Sequence, residues 1–396
     1  MSASALPIPQ NGLKQMTRRY RVEDSTKAQP DAAGASGAAR GATRSAPPAM
    51  GACTGISLAT TQGEHIHART IEWGNFDLNS RLIISPRGHR YTSSLPMEKQ
   101  GIHWRGTYGF VGISVSQDNF IGEGMNEAGL NAGLFYFKGY GSLAPFDPDD
   151  VANSIIDMDL VRWMLSQFAT VEEVIAALPD IKVAPVFIDE EGNPSPTAHW
   201  RVTDRAGGSI VIEIINEGEV HIYANDVGVI TNPPHFPWQV LNLNNYINVR
   251  PGVVAPRTMG DLRLKSFGYG SAAWGLPGDF SPPSRFVRAA FFRSTAPPLA
   301  TPLAAVAEAF HILNNFDIPI GVEFGEEERE KIPDIPSATQ WTAVSDLASG
   351  MFYYKTMRDS AVKRVDLNRI DFATGVETAY VLDKGVFTFE DVTPIR

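Results

Sequence analysis

Apolar and polar positions change period several times along the chain, and each change marks an element. From Thr54 to Ala59 small and β-favouring residues form a strand-like run, and Ile66 to Trp73 resumes it after Gln62 and Gly63, which reads as a two-residue hairpin turn. Arg81 to Ser85, Tyr108 to Ser116 and Gly133 to Phe137 are further short apolar strands bounded by glycine and proline. Residues 153 to 168 switch to helical spacing. Thr170 and Glu173 then form a capping box that opens a second helix ending by Pro179. His199 to Val202, Gly208 to Ile215 and Val220 to Tyr223 return to strands, and the run through Asn232 stops at Pro233 and Pro234. Helices are expected near 236–247, 284–294 and 302–315, the last with Leu303, Val306, Phe310 and Leu313 on one face. Gln340 to Phe389 is strand-like again. Strands, helices and strands without regular alternation predict an α+β fold, with antiparallel sheets covered by helices.

Composition narrows this picture. With 396 residues, 43% of them hydrophobic, the chain has enough apolar surface for one large domain or two smaller ones. A net charge of −10 argues against a general nucleic-acid binder. No apolar run reaches the ~20 residues of a membrane helix. Residues 1–52 end in an Ala/Gly/Pro/Ser tract too poor in large apolar groups to order itself, so they are expected to be a disordered leader or propeptide. Arg18 and Arg19 have the look of a basic export region, but no apolar segment follows. The cytoplasm is therefore the default expectation, with the periplasm open.

One cysteine excludes an internal disulfide and a cysteine-based zinc site. A lone cysteine is usually a small buried hydrophobe. Cys53 differs in position, because it follows the leader and begins the first strand. Cutting before it would give it a free α-amino group, partly uncharged at neutral pH and able to take the thiol proton. With Thr61 facing Glu64 across the turn, Cys53 falls opposite Glu72. Arg69 would favour thiolate, and Glu72 would hold the amine. Residues three apart in a strand point to opposite faces, so both reach one sulfur only where the strand twists, bulges or ends. Two competing motifs carry less. The stretch Gly122 to Leu134 lacks the spacing of a dinucleotide loop and reads as a turn between strands. His65 and His67 share a strand face and allow a metal-amidohydrolase reading, although no further ligand cluster follows.

The stretches CTGISLATTQGEHIHARTIEW, MNEAGL, GVITNPPHFPWQVLNLNNY, GLPGDFSPPSRF and FHILNN resemble the choloylglycine hydrolase and penicillin V acylase family of N-terminal-nucleophile hydrolases, from Cys53 to the C-terminus. The resemblance implies one catalytic domain over 53–396, a four-layer αββα sandwich of two antiparallel sheets between helices, and a homotetramer. It matches Cys53 to the nucleophile, Arg69 to the arginine beside it, Asn232 to the oxyanion asparagine and Arg285 to the arginine that closes the site. Glu72 stands where bile salt hydrolases have aspartate. Phe135 and Tyr136 stand where those enzymes have an asparagine and its neighbour, an aromatic position that penicillin V acylases share. The backbone N–H of Phe135 would complete the oxyanion hole, and Leu134, Tyr136, Phe137 and Trp274 would contact substrate. The implied reaction is cofactor-free and metal-free hydrolysis of a small-molecule N-acyl amide, penicillin V or a conjugated bile acid, through a thioester. N-acyl homoserine lactones are the alternative substrates, and a non-catalytic binding protein is the alternative function.

Overall fold

The apolar alternation closes into two large antiparallel sheets. The computed structural model describes residues 51–74, 77–185, 198–319, 322 and 337–394. One sheet has six strands in the order β14 (Val229–Ile230), β1 (Gly51–Ala59), β2 (His65–Trp73), β17 (Ser337–Asp346), β18 (Met351–Thr356) and β19 (Lys363–Asp366). The other has eight: β13 (Glu219–Ala224), β12 (Ser209–Ile215), β11 (Ala198–Thr203), β8 (Asn131–Tyr136), β7 (Gln117–Asn126), β6 (Phe110–Val115), β3 (Arg81–Ser85) and β20 (Thr378–Val381). The helices α4 (Pro282–Thr295) and α5 (Pro302–Leu313) cover the first sheet, packing on β1, β2 and β17. On the far side, α1 (Leu160–Gln167) packs on β7 and β8, and α2 (Val171–Ala177) joins the same apolar cluster through Val171, Val174 and Ile175. The result is a four-layer αββα sandwich.

Local chemistry accounts for most boundaries. Thr170 accepts from the Glu173 N–H and Glu173 returns the bond to the Thr170 N–H, the predicted capping box. Pro282 and Pro283 occupy the first turn of α4, where no N–H is needed. Between the sheets, Phe135, Trp341, Met125 and Val111 are fully buried, each contributing roughly 1.5–3 kcal/mol by leaving water.

Four sequence expectations change. The helix expected over 153–168 starts only at Leu160, because β9 (Ser154–Ile156) pairs in parallel with β10 (Lys182–Ala184) and a 3-10 turn intervenes. On α5, Leu303 is exposed, since the buried face begins one turn later with Ala305 and Val306. Two ribbons carry no clear apolar period: β4 (Arg90–Ser94) with β5 (Gln100–Arg105), and β15 (Arg257–Met259) with β16 (Leu262–Leu264).

The fourth change matters most for the site. The turn between β1 and β2 spans three residues, with Thr60 N–H donating to Glu64 O at 2.9 Å and Gly63 N–H to Thr60 O at 3.0 Å. Gly63 has φ +84°, the left-handed conformation that a three-residue hairpin requires of its last position. The register therefore shifts by one: Cys53 lies opposite Ile71, and Glu72 opposite Ala52. Gly51 and Ala52, expected in the leader, belong to β1 because β2 is long enough to pair with them. Residues 1–50 lie outside the described residues.

Candidate active site

In a strand, alternate residues share a face, and directly paired residues share it across strands. Cys53, Ile71, Gly55 and Arg69 therefore point together into the space between the sheets, while Ala52 and Glu72 point to the helix side. The geometric difficulty in the sequence resolves without a bulge in the pairing of β1 with β2. Arg69 is on the sulfur's face and Glu72 is on the other.

Arg69 lies opposite Gly55 and is fully buried. It crosses to the second sheet, where Nη1 donates to Leu134 O at 2.7 Å and Gly122 O at 3.1 Å. Its guanidinium lies 4.3 Å from the centre of the Phe135 ring. The side chain thereby ties the cysteine's strand pair to β7 and β8 by charge-assisted bonds. Glu72, also buried, accepts from Thr339 Oγ1 at 3.1 Å beneath the segment that follows α5.

Asn232 and Arg285 close the arrangement. The Cys53 N–H donates to Asn232 Oδ1 at 2.7 Å, and Asn232 Nδ2 donates to Tyr136 O at 2.9 Å. Arg285, near the start of α4, donates through Nη2 to the same Oδ1 at 2.7 Å and through Nη1 to Cys53 O and Thr54 Oγ1. One amide oxygen thus accepts from the Cys53 N–H and from a buried guanidinium. Its loop is anchored by residues that the sequence did not single out. Glu213 on β12 accepts from Phe236 N–H at 2.8 Å and lies 3.1 Å from His235 Nδ1 and 3.4 Å from His199 Nδ1. His199 Nε2 is 3.0 Å from Thr231 O. Burial alone would raise the Glu213 carboxyl, but its bonds to His199 and His235 outweigh this and hold it below the usual range. The only signal was a glutamate inside an apolar strand, where a buried charge needs partners.

The remaining expected residues separate. Phe135 is fully buried with its ring against Arg69, and the β8 backbone group bonded to the Cys53 thiol belongs to Tyr136, one residue further along. The Tyr136 ring meets Trp73 edge-on at 5.8 Å. Leu134 is partly buried on the outer side of β8, in contact with the α1 and α2 cluster. Phe137 is buried and stacked on His199 at 4.2 Å, a packing position. Trp274 is 93% exposed beyond the β15–β16 ribbon. His67 points inward beside Glu123, while His65 is only partly buried at the hairpin end, against Gly207. Among the described residues no group of three His, Cys, Asp or Glu side chains is placed to hold a metal ion.

Electrostatically the sulfur is contested. Cys53 is 3% exposed, and burial pushes its thiol above the ordinary value. Arg69, the Tyr136 N–H and Arg285 pull it down, and Glu72 pushes it up. A buried sulfur with a backbone donor and two guanidiniums around it is equipped to become an anion and to stabilise another beside it.

The chain is similar to known proteins over most of its length. Over 319 residues the chain is 32% identical to the bile salt hydrolase/transferase of Clostridium perfringens, covering 80% of this chain and 93% of that protein. A solved conjugated bile acid hydrolase from Clostridium perfringens superposes with a TM-score of 0.74 at 30% identity, over 86% of this chain and all of that one. The penicillin V acylase of Agrobacterium tumefaciens shares the fold, with a TM-score of 0.67 at 23% identity over 84% of this chain and 92% of that one. Residues 53–379 match the sequence profile described as linear amide C–N hydrolases, choloylglycine hydrolase family. A match that begins on the residue where the buried amide, the two arginines and the β8 backbone converge makes the chain a member of the choloylglycine hydrolase family of linear amide C–N hydrolases.

Proposed function

We propose that the chain hydrolyses N-acyl amides through Cys53 as an N-terminal nucleophile, after residues 1–52 are removed. The observation that carries this is the convergence of Arg69, Asn232, Arg285 and the Tyr136 N–H on one buried cysteine. In the reaction the sulfur attacks the amide carbonyl carbon, and the C–N bond breaks as the freed α-amino group passes the thiol proton to the leaving amine. Water then cleaves the thioester and releases the carboxylic acid. An amide nitrogen carries two N–H groups, so Asn232 has one beyond its bond to Tyr136 O for the oxyanion. The β8 backbone supplies the second donor. That donor is the Tyr136 N–H, and because the Phe135 ring is committed to Arg69, Phe135 offers no acyl pocket.

While Ala52 is attached, the nitrogen of Cys53 is an amide without a basic lone pair. Removing it exposes an amine whose present hydrogen-bond partner is Asn232 and whose former neighbour, Ala52, is paired with Glu72. A carboxylate there favours the ammonium formed during turnover.

The substrates fitting this reading are amides of a bulky apolar acid, as in penicillin V and the conjugated bile acids. The Tyr136 and Trp73 rings, which meet edge-on against Gly51 two residues before Cys53, suit a flat phenoxyacetyl group. Self-association, a homotetramer by resemblance, is supported by the ribbon around β15 and β16, where Met259, Leu262, Phe267, Tyr269 and Trp274 are all exposed. No helix among the described residues is long and apolar enough to cross a membrane. The test is one preparation assayed for release of 6-aminopenicillanic acid, glycine and taurine, with its N-terminus sequenced. Activity from a chain beginning at Cys53 is expected. Full activity from a homogeneous chain beginning at Met1 would overturn the mechanism, and no release from any of these substrates would overturn the substrate class.

A further inference from the structure

Behind Arg69, between the sheets, lies a buried ionic group that no step of the reaction uses. Glu123 on β7 is 1% exposed, with Oε1 3.2 Å from Arg201 Nη2 and Oε2 3.7 Å from Arg69 Nη1. Asn131 Nδ2 donates to Oε1 at 2.7 Å, while Oε2 makes no hydrogen bond among the described residues. Gly133 gives this carboxylate its room, since a Cβ there would stand 1.9 Å from Oε2. Arg201, on β11 and 1% exposed, also donates to Thr203 Oγ1 at 2.8 Å and to Asn131 Oδ1. His67 Nε2 is 3.8 Å from Glu123, and burial, with Arg201 and Arg69 adding to it, keeps that imidazole neutral near pH 7. This cluster holds two guanidiniums around one carboxyl, which burial pushes up and Arg201, Arg69 and the Asn131 bond pull down. The carboxylate is bonded on the Arg201 side and only faces Arg69.

We propose that Arg201 is a positioning residue for the cysteine reaction: by engaging the Glu123 carboxylate, it leaves the guanidinium of Arg69 incompletely neutralised and its charge directed at Cys53. The physical ground is that a buried carboxylate takes its strongest available partner, and pairing two opposite charges closely cancels their field at a third group. Without the Arg201 charge, Glu123 turns wholly to Arg69 and quenches it. The charged or titratable groups acting on or contacting Cys53 are Arg69 on the sulfur's face of β2, Glu72 on its opposite face, Arg285 from α4 and Tyr136 from β8. Those facing Glu123 are Arg69 and His67 from β2 and Arg201 from β11. Burial draws Arg201 itself down to about 9, with Glu123 opposing and Arg69 adding to the fall, so it stays cationic at neutral pH. Arg69 Nη2 has no hydrogen-bond partner among the described residues, in keeping with a charge not fully consumed.

The inference rests on Cys53 being the nucleophile, but its test reads the thiol and not turnover. Because Cys53 is the only cysteine, the pH dependence of iodoacetamide alkylation of the folded chain reports it alone. Arg201→Met is expected to raise the midpoint by about one unit, which is roughly tenfold slower alkylation at pH 7. Glu123→Gln is expected to lower it, and Arg201→Lys to stay near the parent chain. Opposite signs from the two neutralising substitutions distinguish charge positioning from packing, which would disturb the site in the same sense in both. Shifts of equal sign, or none in either variant, would overturn the inference. If Arg201→Met does not fold, Glu123→Gln decides, and an unchanged or raised midpoint there overturns it. A chain that alkylates as described yet cleaves no amide removes the proposed function and leaves the inference standing.

Discussion

The two faces of β2 treat charge in different ways. On the inner face Arg69 sits on the sulfur's side, tied to two backbone carbonyls and flanked by Glu123 and Arg201. On the outer face Glu72 accepts from a threonine hydroxyl beneath the segment following α5 and is paired with Ala52, the residue before Cys53. One strand thus separates a cation acting on the sulfur from an anion acting near the nitrogen, three residues apart and on opposite sides. On the proposed mechanism, alternation lets one residue present its sulfur on the side of Arg69 and its nitrogen near Glu72, whose carboxylate also pushes the thiol up.

The largest expected effect removes the atom that both faces serve. Cys53→Ser should lower amide hydrolysis by several orders of magnitude with the melting temperature nearly unchanged, because a hydroxyl is much harder to deprotonate than a thiol. Near-parent turnover would end the reading. Arg69→Met tests the inner face alone: it should cost about 10²-fold or more in kcat/KM and move the thiol midpoint further upward. The sign follows from the causes at Cys53. Burial already raises the thiol, so alkylation should climb through neutral pH into the alkaline range, and losing Arg69 should move that climb higher. Glu72→Gln tests the outer face, with a loss of roughly tenfold in kcat but a thiol midpoint moving down, since the carboxylate pushes it up. If Arg69→Met and Glu72→Gln shift the midpoint in the same direction, the two-face description fails. The smallest effect lies away from both faces. Thr170→Ala removes a cap and should cost about 1 kcal/mol in a urea titration without changing the thiol midpoint.

Much of this was legible in residue order. The strands around Cys53 and the capping box at Thr170 depend on neighbours a few residues apart, and the sequence states those directly. Membership in the family rested on longer stretches and was equally visible. What was hidden depended on a one-residue difference in a turn, which Gln62 and Gly63 suit in either form; Gly63 adopts the left-handed conformation after two turn residues rather than one. That shift moved Glu72 from opposite Cys53 to opposite Ala52. Glu123, Arg201 and Glu213 were hidden for another reason. Each is a charged residue whose meaning comes from partners tens of residues away, and no local period announces which face will be enclosed. Phe135 and Tyr136 are adjacent, so only the sheet could decide which backbone would meet the sulfur.

The strand does not begin at Cys53 but two residues before it. Gly51 lies against Trp73 and Tyr136, where a Cβ would come within 2.6 Å of one ring and 3.2 Å of the other. As long as that glycine is covalently attached, backbone lies against those two rings, at an effective concentration in the millimolar range or above, roughly that of a short tether. If the proposed processing holds, a substrate amide cannot displace this tethered backbone, so a small unprocessed fraction would change the number of working sites and leave the apparent KM untouched.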